Sequence, residues 1–187
     1  MIDPVIALPE FAKDLRLNYS SLLREELMTE RQKMGVLLVS ALATRCQPLI
    51  EAIRAQAGDV LDAKDIAAVN AAASLMAMNN VYYRFTHAAD NQVYAAKPAR
   101  LRMNVIASPG VDKADFELWS LAASAINFCA RCINAHEAAL RQEGLRDDTI
   151  QAAIRYAAVI NGLATAISAS ADPAAIAAAG RAVAPTD

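Results

Sequence analysis

The residue types best suited to chemistry crowd into one stretch of this chain, Glu117-Leu118-Trp119-Ser120-Leu121-Ala122-Ala123-Ser124-Ala125-Ile126-Asn127-Phe128-Cys129-Ala130-Arg131-Cys132-Ile133-Asn134-Ala135-His136. Cys129 and Cys132 are separated by two residues and can close a disulfide across one helical turn with little backbone movement. On a helix, Cys132 and His136 stack on the same face, being four residues apart. An imidazole there can take a proton from a thiol or return one to a departing thiolate. A free thiol, with a pKa of about 8.5, is mostly inert at neutral pH. If Asn127 caps a new helix, Cys129 falls in its first turn, where unpaired N–H groups and the helix dipole favour a thiolate, and Arg131 adds a positive charge nearby. Accessible thiolates are the species that react with peroxides and disulfides. Glu117 lies twelve positions before Cys129, on the preceding predicted helix. An apolar setting beside Leu118 and Trp119 would suit it to shuttling protons, although spacing alone does not bring it to the cysteines.

Other readings of the same residues stay open at this level. Cys129, Cys132, His136 and Glu117 could together hold zinc, which takes sulfur, nitrogen and carboxylate ligands tetrahedrally. The cysteines could also be buried and inert, or belong to a redox sensor or electron carrier. Haem attachment needs a histidine directly after the second cysteine, and Ile133 stands there. A thioredoxin fold is disfavoured because no βαβ pattern is present. Cys46, after Arg45 at a predicted helix end, has no histidine or acid nearby and reads as a free structural cysteine. His87 reads as a surface histidine. Met76, Met78, Tyr82, Tyr83 and Phe85 read as core or subunit interface. Trp119 reads first as a packing residue, and its place beside Glu117 lets it border the site.

The elements that must position these groups are helices. Alanine and leucine dominate, glycine is scarce, and no stretch alternates polar and apolar residues as a half-buried strand would. The predicted fold class is all-α, a compact multi-helix domain with the cysteine pair at the start of a helix. Helices are predicted over 10–26, 30–46, 47–57, 63–88, 113–127, 129–143, 147–170 and 173–183, several of them buried on most sides. Thr29 with Gln32 matches a capping box. Asp62 caps the helix carrying Ile66 and Val69, and Asp172-Pro173 places a cap before a proline suited to the first helical position. Gly58 and Gly144 stand where helices should stop in the left-handed conformation. Segment 89–111, with Pro98, Pro109 and Gly110, is the main irregular connection.

The whole chain sets further bounds. Its 187 residues fit one domain, and 56% of them are hydrophobic, somewhat above the usual share of roughly 45–50%. Disorder is thereby excluded, and an oligomer interface could absorb the surplus. With 18 basic and 20 acidic residues the net charge is −2. Lys97, Arg100 and Arg102 form only a weak basic cluster, so nucleic acid is set aside as a partner. Met1-Ile2-Asp3-Pro4 lacks the basic start and apolar core of a signal peptide. The uncharged run Ile66 to Tyr83 is interrupted by Asn70, Ser74, Asn79 and Asn80 and reads as a buried helix rather than a membrane span. The expected compartment is the cytoplasm, where a close cysteine pair is more often catalytic or metal-binding than a structural staple.

The chemical stretch resembles the alkyl hydroperoxidase D (AhpD) family, whose pattern is Glu, eleven residues, Cys-x-x-Cys, three residues, His. Glu117, Cys129, Cys132 and His136 fill its four positions. Leu8-Pro9-Glu10-Phe11-Ala12-Lys13-Asp14, Met78-Asn79-Asn80-Val81-Tyr82-Tyr83-Arg84, Leu101-Arg102-Met103-Asn104 and Phe116-Glu117-Leu118-Trp119-Ser120 also look like AhpD sequence, so the resemblance extends over essentially the whole chain, 1–187, as one domain. It implies an all-helical fold related to carboxymuconolactone decarboxylases, assembled as a homotrimer. It implies alkyl hydroperoxidase and disulfide reductase activities, with no bound cofactor and no metal. The implied reductant is dihydrolipoamide on a lipoyl-bearing acyltransferase of a 2-oxoacid dehydrogenase complex, and the implied acceptor is an AhpC-type peroxiredoxin. Within that picture His136 and Glu117 relay the proton; because His136 is placed for Cys132, Cys132 is assigned as the peroxidatic cysteine and Cys129 as the resolving one. Helix geometry instead favours Cys129 as the thiolate. Arg131 stands where some members carry a second histidine, and with Trp119 it is assigned to the surroundings of the substrate and thiolate.

Overall fold

The computed structural model describes residue 5 and residues 7–170; the helix expected over 173–183 and its Asp172-Pro173 cap lie outside the described residues. Among the described residues a 3-10 turn, Glu10–Ala12, precedes nine α-helices: α1 Lys13–Leu22, α2 Glu30–Thr44, α3 Gln47–Ala57, α4 Ala63–Ala88, α5 Val93–Ala96, α6 Asn104–Ala107, α7 Lys113–Ile126, α8 Ala130–Gln142 and α9 Asp147–Ala169. The all-α expectation holds, and most predicted helices appear within a residue or two of their expected bounds. The helix expected over 10–26 does not run through. After α1, the N–H groups of Arg24 and Glu25 reach back only three residues, to the carbonyls of Ser21 and Leu22, which tightens and ends the helix. The irregular segment 89–111 contains the two four-residue helices α5 and α6.

Helix starts follow the sequence closely. Thr29 and Gln32 exchange side-chain-to-backbone hydrogen bonds of 3.0 and 3.1 Å before α2. Asp62 accepts from the N–H groups of Lys64 and Asp65 before α4, and Asp112 accepts from Asp115 before α7. Helix ends are less regular. Gly144 adopts φ +81° after α8, as a left-handed stop should. Gly58 does not: it closes α3 at φ −63°, because Asp59, Val60 and Leu61 carry the chain onward in a right-handed turn bonded to Gln56 and Ala57. Arg45 takes the left-handed position after α2, at φ +60°.

The core is organised around α7, which packs on α2, α4, α8 and α9. Every residue from Asp115 to Ser124 is buried, as is the run Gly35–Ala41 of α2. Gly35 permits the closest approach: a Cβ at this position would overlap the indole of Trp119. Glycine inside a helix costs about 0.5–1 kcal/mol relative to alanine, and here the missing side chain is the seat of the largest core residue. Helix α9 is long and apolar enough over its 23 residues to cross a membrane, yet half of its most apolar stretch is buried inside this fold, against α1, α2 and α7.

Three helix N-termini meet at one guanidinium. Arg31, in the first turn of α2, donates to the Asp65 carboxylate of α4 from Nε at 3.1 Å and from Nη2 at 2.5 Å, and from Nη1 to Asp115 of α7. Gln32 Nε2 donates to the other Asp115 oxygen at 2.8 Å. Arg31 also lies over the Trp119 ring, 5.5 Å from its centroid. Hydrogen bonding from Arg31 holds the Asp65 carboxyl below the usual carboxylate range, against the opposing effect of burial.

Candidate active site

The junction of α7 and α8 fixes the cysteines. Helix α7 ends in a Schellman arrangement: the Phe128 N–H bonds to the Ala125 carbonyl and the Cys129 N–H to the Ser124 carbonyl, at 3.1 Å each. The left-handed residue of that arrangement is Phe128, at φ +60°, a conformation unfavourable for a bulky side chain. Asn127 belongs to the end of α7, so the sequence expectation that it caps the next helix is corrected. The cap of α8 is Cys129 itself, whose Sγ accepts from the Cys132 N–H at 3.3 Å. Asn127 instead braces the junction. It donates to Asn80 of α4 at 3.0 Å and its carbonyl accepts from Arg84 at 2.9 Å, while Asn80 donates to Ser124 Oγ at 3.1 Å.

Cys129 and Cys132 are joined as a disulfide, with Cα atoms 5.3 Å apart, and both are buried. One turn further along α8, His136 Nδ1 lies 2.6 Å from Glu117 Oε2, so α7 delivers the carboxylate that the linear spacing left unplaced. Glu117 and His136 are both buried. His136 Nε2 lies 3.1 Å from Met76 Sδ, and a thioether can only accept. Both contacts are hydrogen bonds at once when each ring nitrogen carries a proton and Glu117 is ionised. With a single ring proton on Nδ1, Nε2 is free to act as an acceptor for a neighbouring acid.

A cavity of about 310 Å³ opens beside this pair. Cys132, His136 and Glu117 line it together with Met76, Asn79 and Tyr83 of α4 and with Met103 and Ile106. The Asn79 side-chain oxygen is buried there without a hydrogen-bond partner. Cys129 is not part of this lining. It borders a second cavity of about 340 Å³ with Phe128, His87 and Tyr83. Arg131 lines both cavities, its guanidinium 4.9 Å from the Tyr83 ring centroid.

Trp119 is not among the cavity residues. Two positions from Glu117, it projects to another side of α7, against Gly35 and Arg31, so its assignment to the substrate surroundings is corrected to core packing. Cys46 is buried and free, and His87 is exposed. Among the described residues no three His, Cys, Asp or Glu side chains are grouped so as to hold a metal ion; the predicted four engage pairwise, Cys129 with Cys132 and Glu117 with His136. Residue types alone place Met76 and Tyr83 in the core or an interface and give Asn79 no role at the site. Their spacing, three then four residues, puts them on one helix face, which was the available signal.

Known proteins match this chain along most of its length. The family model described as the carboxymuconolactone decarboxylase family matches residues 92–183. A Methylobacterium sp. (strain 4-46) protein named alkyl hydroperoxide reductase AhpD is 56% identical over 161 residues, covering 86% of this chain and 92% of the relative. A protein of the same name from Rhodopseudomonas palustris (strain BisA53) is 54% identical, covering 91% and 94%. Another, from Brucella suis (strain ATCC 23445 / NCTC 10510), is 52% identical over 87% of this chain and 93% of its own length.

Proposed function

The chain belongs to the AhpD family of enzymes, and from that premise we propose that it reduces alkyl hydroperoxides, the disulfide of an AhpC-type peroxiredoxin, or both, through a dithiol–disulfide cycle of Cys129 and Cys132. The observation that carries this reading is that Cys132, not Cys129, borders the cavity containing the Glu117–His136 pair. His136, oriented by Glu117, takes the Cys132 proton. The thiolate attacks the outer oxygen of the hydroperoxide, the O–O bond breaks, and the departing alkoxide takes a proton from His136. The sulfenic acid on Cys132 condenses with the Cys129 thiol, forming the disulfide and releasing water.

Dihydrolipoamide, carried on a lipoyl-bearing acyltransferase, then returns two electrons. One of its thiolates attacks Cys132 Sγ from the cavity, and Cys129 leaves as a thiolate that the Cys132 N–H stabilises, since a stabilised leaving thiolate departs faster. The second lipoyl thiol attacks the mixed disulfide and releases Cys132. The same reduced pair can pass its electrons to a peroxiredoxin disulfide. These roles reconcile two tendencies that pull apart in the sequence: Cys132 reacts and Cys129 is the better-stabilised thiolate. The reading also includes one domain over the whole chain, a homotrimer and a cytoplasmic location.

Intact-mass analysis with thiol counting, before and after stoichiometric alkyl hydroperoxide, tests the cycle. One Cys129–Cys132 disulfide, reversed by dihydrolipoamide, is the expected result. Equal peroxide consumption by wild type and a Cys129→Ser, Cys132→Ser double variant would sink it.

A further inference from the structure

A third pocket, of about 120 Å³, adjoins the redox cavity. Tyr82, Tyr83 and Thr86 of α4, Tyr94 of α5, Lys97 and Arg131 line it. Arg131 and Tyr83 belong to this pocket and to the redox cavity alike, so the two spaces meet across a single stacked pair. The lining holds two cationic side chains and no carboxylate. Neither Lys97 nor Arg131 has an ion-pair partner among the described residues. Stacking restrains the guanidinium through its face and leaves its in-plane N–H donors available. Phe85 packs against Tyr94 with centroids 5.1 Å apart, and Tyr82 meets Tyr83 edge-on at 5.2 Å, so the aromatic walls are mutually supported. Phenolic O–H groups and two cations around a small space are donors for an anion of carboxylate size. The neighbouring redox cavity, with Met76, Met103 and Ile106, accepts an apolar body.

We propose that this pocket is a carboxylate subsite, and that the molecule reacting at Cys132 is amphipathic, its apolar body in the redox cavity and its acid group held by Lys97, Arg131 and the tyrosine hydroxyls. The proposal rests on the reading of Cys132 as the reactive cysteine and narrows its substrate class. The acid can be carried by the hydroperoxide or by the dithiol reductant.

Two matched pairs distinguish the sources: a medium-chain hydroperoxide ending in a carboxylate against its methyl ester, and dihydrolipoate against dihydrolipoamide. The readout is the acid-to-neutral ratio of kcat/KM in wild type, Lys97→Met and Arg131→Met, at low and high salt. Removing one cation should lower the ratio for the acid-bearing partner roughly three- to tenfold, as expected for a partly exposed charge pair with added hydrogen bonds. Raised salt should lower it in wild type and much less in the variants. Ratios near one for both pairs in wild type, or ratios unmoved by both substitutions, overturn the proposal. Independently of turnover, octanoate should bind the folded Cys129→Ser, Cys132→Ser double variant more tightly than octanol does. Equal binding of the two overturns the subsite. Should wild type neither consume hydroperoxide nor exchange with dithiols, the redox reading fails while the octanoate comparison still decides the subsite.

Discussion

Asp115 and Glu117 lie two residues apart on α7, both buried, and face different parts of the molecule. Asp115 has both oxygens occupied, one by Arg31 and one by Gln32, and it sits in the first turn of its helix, where the dipole favours a negative charge. Asp65 shares the same guanidinium from the first turn of α4. This cluster joins three helices and borders neither of the cavities beside the cysteines. Glu117, deeper in α7, has one side-chain partner among the described residues, His136, and the pair opens on a cavity also lined by Cys132 and by Asn79, whose amide oxygen is unpartnered. Burial and charge are common to both places. Spare hydrogen-bonding capacity beside an open space distinguishes the second place, and it is there that the proposed chemistry is set.

Four expectations test that contrast, in decreasing size of effect. The Cys129→Ser, Cys132→Ser double variant should lose dithiol-dependent hydroperoxide consumption entirely, measured by peroxide disappearance. Retained turnover would remove the chemical half of the comparison. Arg31→Met should cost about 3 kcal/mol of stability, because it leaves two buried carboxylates without their cation. That figure is at the low end for a buried pair since the Arg31 side chain is 32% exposed. Urea unfolding reads it, and the Cys129–Cys132 reduction potential should not move. Glu117→Gln should behave the other way round, lowering hydroperoxide kcat/KM roughly ten- to a hundredfold through loss of the proton relay with little change in the urea midpoint. A variant with full activity and a large stability loss would mean that Glu117 serves the fold alone.

The smallest expectation concerns acid. Asp65 has a folded-state pKa below its unfolded value, through its hydrogen bonds with Arg31. Its stabilising contribution is therefore complete above the unfolded value of about 3.9 and is lost as pH falls through the folded value. Wild-type stability should drop more steeply than that of Arg31→Met as pH is lowered below about 4. Equal slopes would detach Asp65 from Arg31.

What could be read beforehand follows the range of the interactions. Capping boxes such as Thr29 with Gln32 act within four residues, and the sequence displays them whole. The candidate site residues span only Glu117 to His136, so their pattern survives in linear order. The Arg31 cluster joins residues 34 and 84 positions apart, and nothing local to Arg31 announces it. Gly35 looks like a local liability until Trp119 is seen resting on it. Phe128 carries no sign of its left-handed backbone, which the packing of α7 and α8 imposes against its own preference. Asn127 misleads for a related reason: a good capping residue is available, but the next helix is capped two residues later, at Cys129.

At the α7–α8 junction two consecutive positions hold residues that selection for durability alone would replace. Glycine adopts the backbone of Phe128 with less strain, and serine or aspartate is a preferred helix cap at the position of Cys129. A hunt for heat-resistant variants of this protein would therefore be drawn to its centre, enriching serine at 129 and glycine at 128. The first of those changes would also forfeit the Cys129–Cys132 disulfide and, with it, the proposed cycle. Under the proposed cycle, cysteine at a capping position exchanges some helix-capping strength for redox chemistry.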